Sequence, residues 1–292
     1  MNRAVMCGDQ AIERLFGRSR RVNHANTFGT ETPIIGMVHL GPLPGAPTAS
    51  KDIESIIDDA LDDTRALERG GVDAIMVENL GDAPYYPDNV PKHVVAAMAR
   101  VTATISDATD FPLGVNVLRN DAEAALAIAA AANGSFIRIN VHTGARVTDQ
   151  GIIEGQAHET VRRRERLAPS VGLFTDFGVK HSTSIAGESP TQEMFLELAE
   201  RGRADAIIVS GSGTGRPTDT DWLETVVNWR DELDLQTPVL VGSGVDRRSI
   251  ERILDIADGA IVGTALKENG ETHAPVDEER VAEIVSLADA VR

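Results

Sequence analysis

The chain has 292 residues, 28 Lys and Arg against 45 Asp and Glu, a formal charge of -17, and one cysteine, Cys7. A hydrophobic content of 42% supports a large core and excludes global disorder. A single cysteine excludes an internal disulfide framework and a zinc site built from cysteines. No apolar run approaches the ~18 residues needed to span a bilayer, and no signal-peptide core is apparent, so we expect a cytoplasmic protein.

The acidic charge argues against nucleic acid or an anionic membrane as a partner. Only four residues are lysine, and the acidic residues are scattered along predicted helix faces. This composition is typical of adaptation to high salt, because ions screen the self-repulsion of an acidic surface. An ordinary acidic enzyme is the alternative.

Residues 1–32 show no clean periodicity and are interpreted as a partly ordered N-terminal extension, which could form a short helix across one end of the domain. From residue 33 to 292, short apolar runs alternate with amphipathic stretches. The apolar runs cover 34–39, 72–78, 113–117, 136–140, 171–176, 206–210, 239–242 and 260–263. The amphipathic stretches cover 53–69, 93–106, 121–131, 192–201, 221–232, 248–257 and 277–291.

Eight strands separated by helical stretches predict an α/β protein with a single (β/α)8 TIM barrel and a short N-terminal extension. A doubly wound open sheet is the alternative fold, although it normally has fewer strands. No second domain is indicated.

Side chains alternate between the two faces of a strand, so each predicted strand has an inward set. The last inward position is polar in strand after strand, where a barrel interior is normally apolar. These positions lie at the C-terminal mouth, where such barrels carry their active sites. The alternative is an ionic plug of Arg138 with Glu78 and Asp176 that stabilises the barrel. The candidate catalytic residues are His39, Glu78, Asn116, Arg138, Asn140, His142, Asp176, Lys180 and His181.

The four lysines, Lys51, Lys92, Lys180 and Lys267, all fall on the side of the barrel where strands lead into helices. We therefore expect a cationic rim or direct contacts with an anionic ligand, with Lys180 as the leading candidate.

Glycine-rich loops follow the sixth, seventh and eighth predicted strands. Such loops expose backbone N–H groups, and barrels often bind phosphate between the last two of them. The candidate phosphate-binding residues are Ser210, Gly211, Gly213, Thr214, Gly215, Gly242, Ser243, Gly244, Gly263 and Thr264.

Several longer motifs are shared with a known family. They are GMVHLGPLPG at 36–45, ENLGDAP at 78–84, GVNVLRND at 114–121, FIRINVHTGA at 136–145, TDQG at 148–151, VKH at 179–181, GTG at 213–215 and GSGV at 242–245. In these motifs the chain resembles the BtpA family, also called BtpA/SgcQ, from residue 33 to the end. The resemblance implies a phosphate-binding barrel. One family member is linked to photosystem I biogenesis, and a relative lies among sugar-utilisation genes.

The leading hypothesis is an isomerase, epimerase or aldolase that acts by acid–base chemistry on a small phosphorylated sugar or nucleoside-derived phosphate. Glu78 and Asp176 would form the acid–base pair, with His39, His142 or His181 sharing protons. Asn116, Asn140 and Lys180 would orient oxygens or neutralise a developing enolate. No cofactor or metal is assigned.

Three alternatives remain open. His39, Glu78, Asp176 and His181 could bind a divalent metal in a hydrolase or lyase. Lys180 could form a Schiff base. A non-catalytic assembly or stability factor of the photosystem type is the third. In each case we expect a homo-oligomer, with His158 and 162–164 as one possible contact face.

Overall fold

The computed structural model describes residues 24–178, 182–185, 187, 189–211 and 219–292. Its helices are α1 His24–Phe28, α2 Ile53–Gly70, α3 Lys92–Ala108, α4 Ala122–Ala131, α5 Ala157–Leu167, α6 Gln192–Leu196, α7 Thr220–Glu232, α8 Ile250–Leu254 and α9 Glu278–Asp289. Its strands are β1 Ile34–His39, β2 Ala74–Glu78, β3 Leu113–Asn116, β4 Phe136–Ile139, β5 Ala145–Thr148, β6 Gly151–Glu154, β7 Gly172–Phe177, β8 Thr183–Ser184, β9 Ala206–Val209, β10 Val239–Val241 and β11 Ala260–Val262. A π-helical segment, Glu197–Arg201, continues α6, and short 3-10 turns cover Leu80–Asp82, Thr264–Leu266 and Glu268–Gly270.

Eight parallel strands close into a barrel in the order β1-β11-β10-β9-β7-β4-β3-β2. All pairings around the barrel are parallel, and helices follow the strands along the chain. The predicted (β/α)8 barrel is confirmed. The open-sheet alternative is wrong, because β1 pairs with both β2 and β11 and leaves no free edge.

The inward and outward side chains of the barrel strands form two distinct clusters, as the alternation predicts. Inward-facing Ile35, Met37, Met76, Phe136 and Phe174 form an apolar cluster within the barrel. The alternate positions join a larger cluster between the strands and the helices. These large side chains fill the interior at the N-terminal end, so we expect a ligand to bind at the other end.

Helix α1 closes the N-terminal end of the barrel. Its last residue, Phe28, is 7% exposed and belongs to the interior cluster. The Phe28 ring packs edge-on against Phe136, with centroids 5.6 Å apart, and against Phe174 at 6.1 Å. Phe136 is the first residue of β4, which places Phe28 at the amino ends of the strands. The short helix expected across one end is therefore present.

Local signals set the ends of the longest helix, α2. The Asp52 side chain accepts a hydrogen bond from the Ser55 amide at the N-terminus. At the C-terminus Gly71 has a φ of +89° and donates to the carbonyls of Leu67 and Glu68. Glycine adopts this left-handed conformation without strain, so the chain can turn into β2.

The segment between β4 and β7 differs from the prediction, which assigned no helix or strand there. It contains the hairpin β5–β6, to which β8 adds a third antiparallel strand, and then helix α5. The Arg146 side chain links the hairpin to Ser182 at 3.0 Å. Thus the segments after the fourth and fifth barrel strands are joined in one small sheet. Within the described part of the chain, no helix has the length and apolar character needed to cross a membrane.

Candidate functional site

Adjacent barrel strands align one layer of polar side chains. His39 pairs in register with Glu78, Glu78 with Asn116, and Asn116 with Arg138. All four are inward positions at the carboxyl ends of their strands. The predicted convergence of polar groups at this end of the barrel is therefore present for these residues.

A pocket of about 240 Å³ opens beside part of this layer. His39, Glu78 and Arg138 line it, together with Met37 and Ile261 from the barrel interior. The remaining lining residues come from the segments that follow β10 and β11 and from helix α9: Gly242, Ser243, Gly244, Val245, Asp246, Gly263, Thr264, Ala265, Gly270 and Arg280. The pocket thus joins ionisable groups on strands β1, β2 and β4 to the two loops predicted to bind phosphate.

His39 and Glu78 form a close pair at this pocket. The His39 Nε2 atom lies 3.8 Å from Glu78 Oε1, and their side chains are 8% and 6% exposed. Gly263 on the neighbouring strand makes room for the imidazole, because a Cβ atom there would lie 2.9 Å from His39 Cε1. An imidazole and a carboxylate this close together can exchange protons with one ligand that contacts both from the pocket.

Arg138 and Asp176 form a buried ion pair. Arg138 Nε donates to Asp176 Oδ1 at 2.9 Å and Nη2 donates to Oδ2 at 3.1 Å, with side chains 2% and 0% exposed. Burial alone lowers the pKa of Arg138, but the Asp176 carboxylate outweighs it and the pKa is raised. Asn140 Nδ2 also donates to Asp176 Oδ2, at 2.8 Å. The Asp176 carboxylate is therefore occupied by three donors.

This pairing changes the interpretation of Asp176. It is not among the residues that line the pocket, whereas its partner Arg138 is. We therefore reassign Asp176 from the acid–base pair to a group that positions the Arg138 guanidinium. The pairing of Arg138 with Asp176 that the ionic-plug alternative assumed is present, while Glu78 faces the pocket.

Asn116 and Asn140 lie in the same buried network. Asn116 Nδ2 donates to the Arg138 carbonyl at 3.1 Å and lies 3.3 Å from Asn140 Oδ1. Neither lines the pocket. These asparagines therefore hold the strand ends and Asp176 in place.

His142 lies outside the pocket. Its Nε2 atom is 2.7 Å from the carbonyl oxygen of Gly202, and the residue is buried. Burial lowers its pKa to about 4, although the bond to Gly202 opposes the shift. The predicted role of His142 in sharing protons is not supported by this position, and its imidazole serves as a neutral packing and hydrogen-bonding group.

The glycines of the last two loops have two different physical roles. Gly244 has a φ of +70°, so its backbone requires glycine. Gly242 is needed for a different reason: a Cβ there would lie 2.3 Å from Ile208 Cγ2, 2.8 Å from Ser210 Oγ and 3.1 Å from Arg138 Nη2. Gly242 and Gly263 thus leave space for neighbouring functional side chains, which the loop pattern alone did not indicate.

Two other predicted phosphate-binding residues are already engaged. The Gly211 amide donates to Ser243 Oγ at 3.0 Å, and Ser210 Oγ lies 3.4 Å from Arg138 Nη2. Neither Ser210 nor Gly211 lines the pocket. Thr264 lines it, and its hydroxyl lies 3.0 Å from the Thr272 hydroxyl.

Some predicted residues lie outside the described part of the chain. They are Lys180, His181, Gly213, Thr214 and Gly215. Among the described residues, no group of three or more His, Cys, Asp or Glu side chains is arranged to hold a metal ion.

The expected rim of lysines is wrong for Lys267. This residue is 1% exposed, and its Nζ donates to Asp63 Oδ2 at 2.5 Å. Burial lowers the pKa of Lys267, and Asp63 opposes the shift. Asp63 Oδ1 also accepts from the Val276 amide, so the pair fixes both ends of the segment that follows β11. Lys51 forms an exposed pair with Asp59 on α2.

Like Asp246, Arg280 is a charged pocket residue that the sequence analysis missed. It lies in the first turn of α9. The sequence of an amphipathic helix predicts that an arginine there is a solvated surface residue. Only the packing of α9 against the segment after β11 brings it to the pocket.

The comparisons with known proteins agree with this fold. A tryptophan synthase structure from Mycobacterium tuberculosis has a TM-score of 0.59 at 18% identity, covering 96% of this chain and 98% of the other. A thiamine phosphate pyrophosphorylase from Pyrococcus furiosus has a TM-score of 0.55 at 16% identity, covering 92% and 99%. At such identities the likeness shows the fold alone.

Closer similarity is found by sequence. An uncharacterized protein of Thermococcus kodakarensis is 45% identical over 260 residues, which cover 89% of this chain and 96% of that protein. The photosystem I biogenesis protein BtpA of Synechocystis is 40% identical over 267 residues, 91% of each chain. The model of the BtpA family matches residues 30–290, which include every barrel strand. The chain therefore belongs to the BtpA family.

Proposed function

We propose that the chain is an enzyme that moves protons on a small phosphorylated molecule, a sugar phosphate or a nucleoside-derived phosphate. The reaction is of the isomerase, epimerase or aldolase type. The observation that carries this proposal is the pocket at the C-terminal mouth, which brings His39 and Glu78 together with the loops after β10 and β11. Its volume of about 240 Å³ is below the ~300–1,000 Å³ of typical ligand pockets, which favours a small substrate.

The acid–base roles fall to Glu78 and His39. A carboxylate can take a proton from a carbon or hydroxyl group, and an imidazole can return one near neutral pH. Arg138 faces the same pocket and presents a positive charge to an oxygen on which negative charge develops. Asp176 holds that guanidinium in a fixed orientation, so little reorganisation is needed during the reaction. Lys180 and His181 remain predicted contributors.

The phosphate is proposed to lie against the loops after β10 and β11. The left-handed Gly244 turns the backbone between Ser243 and Val245, and both loops line the pocket. A backbone that bends in this way can direct amide groups toward an anion. The name of one fold neighbour, thiamine phosphate pyrophosphorylase, contains a phosphorylated compound, which supports the proposal by analogy of fold.

Ligand-induced stabilisation tests whether the protein binds a phosphorylated ligand. The melting temperature is measured with phosphorylated sugars and with the same sugars lacking phosphate. A phosphorylated ligand at 100 times its Kd stabilises the protein by ~2.7 kcal/mol, and its unphosphorylated counterpart should not. Equal stabilisation by both forms would contradict a phosphate site.

Proton exchange tests the chemistry. A ligand found in this way is incubated in D2O, and loss of its C–H signal is followed by NMR. Glu78→Gln should abolish exchange while ligand still binds, and Glu251→Gln, which removes the same charge from the exposed face of α8, should leave it intact. Exchange at the wild-type rate in Glu78→Gln would refute the role of Glu78.

An assembly role is the second candidate function. The observation that favours it is the 40% identity to the photosystem I biogenesis protein BtpA. This role predicts that no small phosphorylated molecule stabilises the protein and that Glu78→Gln behaves as the wild type in complementation of a strain lacking its own BtpA protein.

We also propose that the protein works in the cytoplasm at high salt as a homo-oligomer, on the basis of the charge of -17 with four lysines. Unfolding in molar KCl should then require more denaturant than in dilute buffer, and light scattering should give a multiple of 31.2 kDa. Arg164 is not available for a subunit contact, because it is buried against Asp205.

A further inference from the structure

Arg280 is anchored at the edge of the pocket by one hydrogen bond. It belongs to the first turn of α9, where Asp277 accepts hydrogen bonds from the Glu279 and Arg280 amides. The side chain is half-buried, and its Nε donates to the Ala265 carbonyl at 2.8 Å. Ala265 belongs to the segment after β11, so the guanidinium is fixed against one wall of the pocket.

The rest of this guanidinium has no partner among the described residues. After the bond from Nε, the two Nη atoms still carry N–H donors. Among the residues that the structure describes, these donors have no acceptor and Arg280 has no ion-pair partner. By contrast, Arg138, Arg164 and Arg230 each donate to an aspartate. A partly desolvated cation without an acceptor is unfavourable unless a ligand or water supplies one.

The other charged groups at the pocket are already engaged. Arg138 is paired with Asp176. Asp246 also lines the pocket, but its carboxylate accepts from the amides of Arg248 and Ser249 at its own helix start. Glu78 faces His39. In the described part of the site, Arg280 is therefore a pocket cation that has no carboxylate partner, unlike Arg138.

We propose that Arg280 binds the phosphate of the ligand and makes the site select a phosphomonoester. A guanidinium presents two parallel N–H groups that match two phosphate oxygens, and this geometry is stronger than a single bond. Gly263 lies beside the His39 ring, and Thr264 and Ala265 follow it toward Arg280. A phosphate on Arg280 therefore leaves the other end of a short ligand over His39 and Glu78.

This inference rests on the proposed function, and inorganic phosphate is the probe that tests it. Binding to the full-length protein is measured by calorimetry for the wild type, Arg280→Gln, Arg280→Lys and Arg252→Gln. Arg252 lies on the exposed face of α8, so its replacement by glutamine removes the same charge away from the pocket. Unfolding curves for each variant confirm that it is folded.

We expect the Kd for phosphate to rise by at least about tenfold in Arg280→Gln, by less in Arg280→Lys, and by under about twofold in Arg252→Gln. Sulfate should compete with phosphate, and acetate should not. Equal affinities in the wild type and both Arg280 variants would overturn the role of Arg280 while leaving the phosphate site of the proposed function intact. Equal competition by acetate would overturn selection of a phosphomonoester. A wild type that binds no phosphate would instead refute the proposed function itself.

Discussion

Replacing Asp176 with asparagine is expected to destabilise the barrel by ~3–5 kcal/mol, because the buried Arg138 guanidinium loses the carboxylate to which it donates. Arg138 donates to both carboxylate oxygens, at 2.9 and 3.1 Å, and the two side chains are 2% and 0% exposed. Water therefore replaces the lost carboxylate poorly. In the variant one oxygen becomes an NH2 group, so that a donor faces Arg138 in either orientation of the amide, and also faces Asn140 if the Oδ2 position carries it.

Urea unfolding at neutral pH measures this effect. The midpoint should fall while the slope with urea stays the same. Asp59→Asn is the matched control, since Asp59 pairs with Lys51 on the exposed face of α2, where such a pair contributes ~0–1 kcal/mol. A loss below about 1 kcal/mol in Asp176→Asn would refute the reasoning, because it would show that the pair is accessible to water. Asp176 would then return as a candidate for proton transfer.

Three further substitutions test other parts of the structure. Phe28→Ala should destabilise the protein by ~3–5 kcal/mol in thermal or urea unfolding, and an unchanged midpoint would show that α1 does not seal the barrel. Burial lowers the pKa of His142 from 6.5 to about 4, so as the pH falls the imidazole is protonated in the unfolded state before it is protonated in the folded state. The contribution of the neutral His142 to the free energy of unfolding is complete above pH 6.5 and falls by about 3 kcal/mol as the pH drops toward 4. His142→Gln, which can keep a donor for the Gly202 carbonyl, should show a shallower loss of stability over that range, and identical pH profiles would argue against a buried neutral imidazole. Asp63→Asn leaves Lys267 buried and unpaired and should also cost about 3–5 kcal/mol, and the explanation fails if the unfolding midpoint matches the wild type.

The sequence was most informative about the faces of the strands. Alternation predicted that His39, Glu78 and Arg138 point inward, and the register of the barrel aligns them. This succeeds because side chains alternate by a backbone rule that does not depend on neighbours. The same rule could not show that Asp176 would be occupied by Arg138, since that depends on the distance between two particular strands.

Glycines and cations were harder to interpret. The pattern around Gly242 and Gly263 predicted a phosphate cradle, but neither has a positive φ, and both leave room for side chains on adjacent strands. Lys267 was expected at the rim and is buried with Asp63. Spacing along the chain indicates which end of the barrel a residue is near, whereas its direction depends on the elements packed around it.

By itself, the sequence determined the eight-stranded barrel and the inward polar layer at its C-terminal end, because strand length, helix periodicity and side-chain alternation are local properties of the chain. Only the tertiary structure decided which polar groups neutralise one another and which remain open to a ligand. It buried Asp176 on Arg138, moved His142 out of the pocket and brought Arg280 into it. Those outcomes depend on contacts between residues far apart in the chain, whose geometry is set by the closure of the barrel and the packing of helices around it.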